Sequence, residues 1–120
     1  MTKYQIKELD KLLREACFAR DGHKCLKCPK TTTLAPSHIY PKGEYRKMRW
    51  DLDNVKTLCW RCHMQWWHKN PIEAWEWLRD TLEPERLERL KMRAQYIDPT
   101  SLDYNLIKLY LQKEIEKYEE

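Results

Sequence analysis

Four cysteines stand as two Cys-x-x-Cys pairs, Cys25-Leu26-Lys27-Cys28 and Cys59-Trp60-Arg61-Cys62. A two-residue spacer lets both thiolates of a knuckle reach one tetrahedral ion, so the pairs predict a four-thiolate zinc site. An ion with four thiolate ligands is coordinatively closed. It is structural, and its binding is part of folding. Thirty residues separate Cys28 from Cys59, more than a zinc ribbon usually has, which predicts a functional insert between the knuckles. That insert holds His38 and Asn54, and the second pair runs directly into His63. An imidazole of ordinary pKa, ~6.5, is mostly neutral near pH 7 and can accept a proton there. If Cys62 faces the zinc from the first turn of a helix, His63 is rotated from it by about 100° and can serve a different ion.

Taken together, the order is Cys-x-x-Cys, then Ser37-His38-Ile39-Tyr40-Pro41, then Asp53-Asn54, then Leu58-Cys59-x-x-Cys62-His63, with Arg20-Asp21-Gly22-His23-Lys24-Cys25 leading in. Over about residues 20–70 this resembles the HNH (ββα-metal, His-Me finger) nuclease family. Within that family it is most similar to phage recombination nucleases of the NinG/Rap type. The resemblance implies a metal-dependent DNA endonuclease, nicking or cutting both strands, with a phage-type recombination or homing role. It implies that His38 is the general base activating water, that Asn54 braces the loop and orients His38 through a backbone hydrogen bond, and that His63 binds a catalytic Mg²⁺ or Mn²⁺. The sequence departs from the family at Ser37, where a carboxylate or imidazole ligand often stands. A neutral hydroxyl is a poor ligand for a hard ion, which leaves Ser37 and His68 as candidate ligands. His68 lies five residues from His63, roughly 140° around an α-helix.

The elements that must position these groups are legible in outline. A chain of 120 residues has room for one domain with one modest core. Residues 1–20 carry an amphipathic helix, with Ile6, Leu9, Leu13 and Ala16 on one face and Cys17 as a small core residue beside them. Residues 21–70 form the zinc-stapled HNH core, in which Gly22 turns the chain. His23 is read as a solvated turn residue, and Thr31 to Thr33 as an extended segment. A hairpin is expected from about Leu34 to Val55, and a helix from Leu58 to about Lys69. Residues 71–120 are helical: Asn70-Pro71-Ile72-Glu73 and Glu83-Pro84 read as helix starts, Asp98-Pro99-Thr100-Ser101 as a break, and 101–118 as a last helix. The default partner of that last helix is the helix before it; a homodimer seam is the alternative. All six tryptophans fall between positions 50 and 77, which predicts the core there. The fold class is therefore α+β, mostly α: a ββα-metal core with flanking N- and C-terminal helices.

The net charge of +4 hides an asymmetry, +8 over residues 1–70 and −4 over 71–120. A basic half around the cysteines suggests a polyanionic partner; the nuclease resemblance implies that it is DNA, with Lys42, Arg46, Lys47 and Arg49 of the hairpin loop contacting phosphates. Asp51 and Asp53 read as turn and cap residues. No run approaches the ~20 apolar residues of a membrane span, and the first residues lack the apolar stretch of a secretory signal. The expectation is a cytoplasmic protein, in phage or bacterial host, whose paired thiols hold metal rather than disulfides. The main alternative function is a non-catalytic zinc module that binds nucleic acid through the same basic surface; such a module has no need of an imidazole at position 38.

Overall fold

The computed structural model describes residues 1–96 and 102–119. Helix α1 (Lys3–Arg20) opens with a capping box in which the Thr2 hydroxyl accepts from Gln5 N–H and the Gln5 side chain accepts from Thr2 N–H. It closes in a Schellman turn: His23 N–H donates to Phe18 O at 2.9 Å, with Gly22 and His23 both left-handed at φ 76° and 55°. His23 is exposed there, the solvated turn residue expected.

Strands β1 (Leu34–His38) and β2 (Val55–Cys59) pair antiparallel, with Leu34 opposite Cys59, Ser37 opposite Lys56 and His38 opposite Val55. The second strand thus begins where the hairpin was expected to end. Helical backbone starts at Trp60 rather than Leu58. Every residue of β2 is buried, so the segment shows neither the alternation of a half-exposed strand nor a helical period. The threonine run is not uniformly extended either: Thr33 adopts φ 53°, and its carbonyl accepts from Trp60 N–H at 2.8 Å, tying the first knuckle's return to the second. Between the strands, residues 39–54 fold through two short 3₁₀ turns, Arg46–Met48 and Leu52–Asn54.

Cys62–Trp67 winds as a π-helical turn, and α2 (Pro71–Thr81), α3 (Pro84–Gln95) and α4 (Tyr104–Tyr118) follow. The expected start at Pro71 holds, but Asn70 makes no capping bond to the helix; its amide donates backward to Trp66 O at 3.3 Å. The break expected at Asp98–Ser101 lies outside the described residues. Helix α4 packs on α1 instead of on α3, with Leu111 fully buried beside Leu9, Leu13, Ala16 and Cys17. Ile107 and Ile115 share that face, while Leu106 and Leu109 remain exposed. Burial pushes the Cys17 thiol up to about 11, so it is a core residue and no nucleophile.

A second core surrounds the cysteines, built from Ile39, Met48, Leu58, Trp67, Leu78 and Leu90. Tryptophan placement is mixed: Trp50 and Trp67 are buried, but Trp60 is 56% and Trp75 40% exposed. Two arginines join the cores. Arg20 from α1 and Arg86 from α3 each donate to Val55 O at 2.6 Å, and Arg20 also reaches Leu52 O at 2.6 Å. These guanidinium groups satisfy backbone at the start of β2, whose only strand partner among the described residues is β1. Arg20 is in turn paired with Asp21 at 2.9 Å, and Asp21 accepts from Thr57 N–H at 2.9 Å. The fold is α+β and mostly helical, and no described helix is long and apolar enough to cross a membrane.

Candidate active site

The four knuckle sulfurs lie within 4.8 Å of one another, with Cys28 and Cys59 3.6 Å apart. Two sulfurs on one tetrahedral zinc, each bonded at about 2.3 Å, stand roughly 3.8 Å apart, so the cluster fits a single ion. Cys25 follows the α1 Schellman turn, Cys59 ends β2, and Cys62 opens the π-helical turn, so the ion would tie three segments together. The thiols also oppose one another. Burial raises the Cys59 thiol, but the backbone N–H of Cys62 and bonds from the other three cysteines bring it down to about 7. Burial and its three neighbours push Cys62 strongly the other way. Four cysteines at this spacing could hold a metal ion such as zinc.

Above this floor, His38 ends β1 and His63 occupies the π-helical turn; both line a cleft of about 650 Å³ together with His68. The His38 ring donates from Nε2 to the carbonyl of Arg49 at 2.9 Å, so Nδ1 carries the lone pair. Burial holds its pKa below the ordinary histidine value, and Lys42 and Lys56 act in the same sense against the Arg49 carbonyl. A neutral imidazole with one nitrogen fixed by backbone and the other basic is what general-base work needs.

Arg49 is itself held from α1. Its guanidinium makes two bonds to Asp10, at 3.1 and 2.7 Å, and the Trp50 indole N–H donates to the same carboxylate at 2.8 Å. Asn54, fully buried, braces the other end of the loop: Oδ1 accepts from Tyr40 N–H at 2.8 Å, and Nδ2 donates to Tyr40 O and Met48 O at 3.0 and 3.1 Å. Its own carbonyl accepts from Ile39 N–H, next to His38. The carbonyl that holds the His38 ring, however, is that of Arg49.

Ser37 is fully buried and stands behind His63, outside the cleft lining. Its hydroxyl lies 2.9 Å from His63 Nδ1 and 3.2 Å from the ammonium of Lys56, the residue opposite it in the sheet. Lys56 is fully buried too, with its nitrogen 3.2 Å from the centroid of the Trp67 ring, and burial drives its pKa well below the usual lysine value. With Lys56 and His63 both at hydrogen-bond distance, the Ser37 hydroxyl holds the Nδ1 side of the His63 ring and leaves Nε2 facing His68. Burial, then His68 and Lys56, hold His63 down to about 4, so it is neutral at pH 7.

His68 is not on the far side of the helix, as α-helical spacing would put it. In the π-helical turn His68 N–H donates to His63 O at 3.3 Å, an i→i+5 bond, and the two rings meet edge to face with centroids 4.6 Å apart. Their Nε2 atoms are 3.4 Å apart. At that distance one ring can donate to the other, and among the described residues the four cysteines alone form a group of three or more that could hold a metal.

The loop cations separate. Lys42 lines the cleft, but Arg46, Lys47 and Arg49 do not. Arg49 is engaged by Asp10, and Lys47 lies over the Tyr96 ring. Asp51 and Asp53 pair with Arg93 and Arg89 of α3, as structural residues. The opposite wall of the cleft belongs to α1, through Lys7, Asp10, Lys11 and Arg14, none of which the sequence marked as a site residue. Lys56 and Asp10 were also missed. A lysine inside an otherwise apolar run, Val55-Lys56-Thr57-Leu58, was the available signal for the first. No protein-family model, curated protein or solved structure matches the chain.

Proposed function

We propose that the protein is a metal-dependent endonuclease of the HNH type that hydrolyses DNA phosphodiesters. The observation that carries this reading is the convergence of His38 and the His63–His68 pair on one cleft with cationic walls. An antiparallel strand pair running directly into a helix, stapled by four cysteines, is the frame expected of a ββα-metal core and supports the same reading.

In this mechanism the cleft positions a phosphodiester with His38 on the attacking side. His38 Nδ1 takes the proton of a water as its oxygen bonds to phosphorus, and the bond to the 3′ oxygen breaks. Arg49 O keeps the ring in the tautomer that can accept that proton. His63 and His68 would hold a divalent ion, Mg²⁺ or Mn²⁺ in the family, whose charge stabilises the phosphate and the leaving oxygen. Ser37 and Lys56 orient His63 from behind, so the missing family ligand is replaced by a supporting hydroxyl. The four-cysteine zinc has no open position and serves only to hold the frame.

The test is a side-by-side cleavage assay on linear, nicked, flapped and four-way DNA with Mn²⁺ or Mg²⁺. Cleavage of at least one substrate that stops when the divalent ion is withheld is expected. Binding to every substrate without cleavage of any would favour the non-catalytic zinc module.

A further inference from the structure

One wall of the cleft is unexplained by the zinc frame or by the imidazoles. Lys7, Lys11 and Arg14 project into it from α1 at positions i, i+4 and i+7. At 100° and about 1.5 Å per residue this row stays within roughly 60° of arc and advances about 10 Å along the helix. All three residues are exposed and among the described residues none makes an ion pair, although Arg14 lies over the Phe18 ring at 5.4 Å. The one carboxylate in that wall, Asp10, is neutralised by Arg49. The wall therefore presents unbalanced positive charge, continued across the cleft mouth by Lys42.

We infer that α1 is the DNA-gripping element, its Lys7–Lys11–Arg14 row neutralising phosphates of the strand that lies in the cleft. The inference rests on the nuclease reading and moves the phosphate contacts from the 42–49 loop to the N-terminal helix. Charge complementarity argues for it: a linear row of cations in a cleft matches a linear polyanion. The loop offers less. Arg49 is held by Asp10, and Arg46 and Lys47 are outside the cleft. These contacts would give affinity and place the strand beneath His38, without reading sequence.

The test is anisotropy of a fluorescein-labelled duplex, and of its single strand, titrated with zinc-loaded full-length protein over a range of salt concentrations without added catalytic ion. Each phosphate neutralised contributes about 0.9 to the slope of log K against log salt on duplex DNA. Joint replacement Lys7→Gln, Lys11→Gln and Arg14→Gln is expected to flatten that slope by roughly 2 to 3 and to weaken binding at least tenfold near 0.1 M salt. The pair Arg46→Gln and Lys47→Gln is expected to leave the slope within one unit. All five positions are on the surface or at its edge, and circular dichroism checks that the variants fold. An unchanged slope in the α1 variant, a loss carried by the loop variant instead, or no DNA binding by the parent protein would overturn the inference. His38→Ala separates the two claims: if it still cleaves, the nuclease mechanism fails while the α1 slope result stands.

Discussion

The Nε2 atoms of His63 and His68 lie 3.4 Å apart because the backbone between them closes with an i→i+5 hydrogen bond. In an ordinary α-helix the same two residues would point well over 100° apart. A π-helical turn is a rare winding, frequently seen at functional sites, and here it converts a five-residue spacing into a shared face.

If that pair holds a metal, His68→Ala should weaken Mn²⁺ binding by at least tenfold in calorimetric titration. Ser37→Ala should cost a similar 10- to 100-fold through loss of the His63 orienting bond. Both variants should keep the parent's helical content. The donor set is imidazole without a free carboxylate, since Asp10 is occupied by Arg49. Mn²⁺ and later transition ions are therefore expected to support activity better than Mg²⁺. Equal affinity in the two variants and the parent would show that the histidines meet for another reason.

Asp10 acts on His38 at one remove. It fixes the Arg49 side chain, and the Arg49 backbone carbonyl fixes the His38 ring. Asp10→Asn, which keeps the shape and removes the charge, should lower kcat by about tenfold or more with a smaller change in KM, because the carboxylate is occupied by Arg49 and Trp50. A change confined to KM would place Asp10 in binding rather than in positioning.

Much of the frame was readable in the sequence, and the reasons are local. Cysteine spacing announced the four-cysteine cluster, the Pro71 and Pro84 starts announced two helices, and Gly22 announced the turn after α1. What was not readable depends on partners distant in the chain. Lys56 meets Ser37 only through the strand register, and α4 chooses α1 over α3 because its buried face finds Leu9 and Leu13. The π-helical winding after Cys62 has no periodic signature in Cys-His-Met-Gln-Trp-Trp, so His68 was placed on the wrong side.

Removing the zinc should unfold the domain. Apparent binding energies of structural zinc, about 10–16 kcal/mol near pH 7, equal or exceed the typical 5–15 kcal/mol stability of a whole domain. Elemental analysis should give one zinc per chain when no second metal is added. A strong chelator should abolish cooperative melting, with recovery on adding zinc back. A chelated protein with an unchanged melting curve would remove the scaffold role of the cysteines.

The pH dependence has a definite sign. His38 is held below its ordinary value, so the fold favours its neutral form. The general base is then available above its folded pKa and lost as pH falls through it. The acid limb of kcat/KM should therefore lie below pH ~6.5. Stability follows the same direction: as pH falls below the unfolded value the unfolded chain binds protons that the folded chain refuses, and the protein becomes less stable. An acid limb centred above pH 7 would contradict the assignment of His38 as base.

The central claim is that His38 performs chemistry rather than binding. Its most direct test is His38→Ala, followed by plasmid nicking with Mn²⁺ in parallel with anisotropy on the same DNA. At least a hundredfold loss of cleavage is expected, with DNA affinity and melting temperature near those of the parent. Cleavage at the parental rate would contradict it.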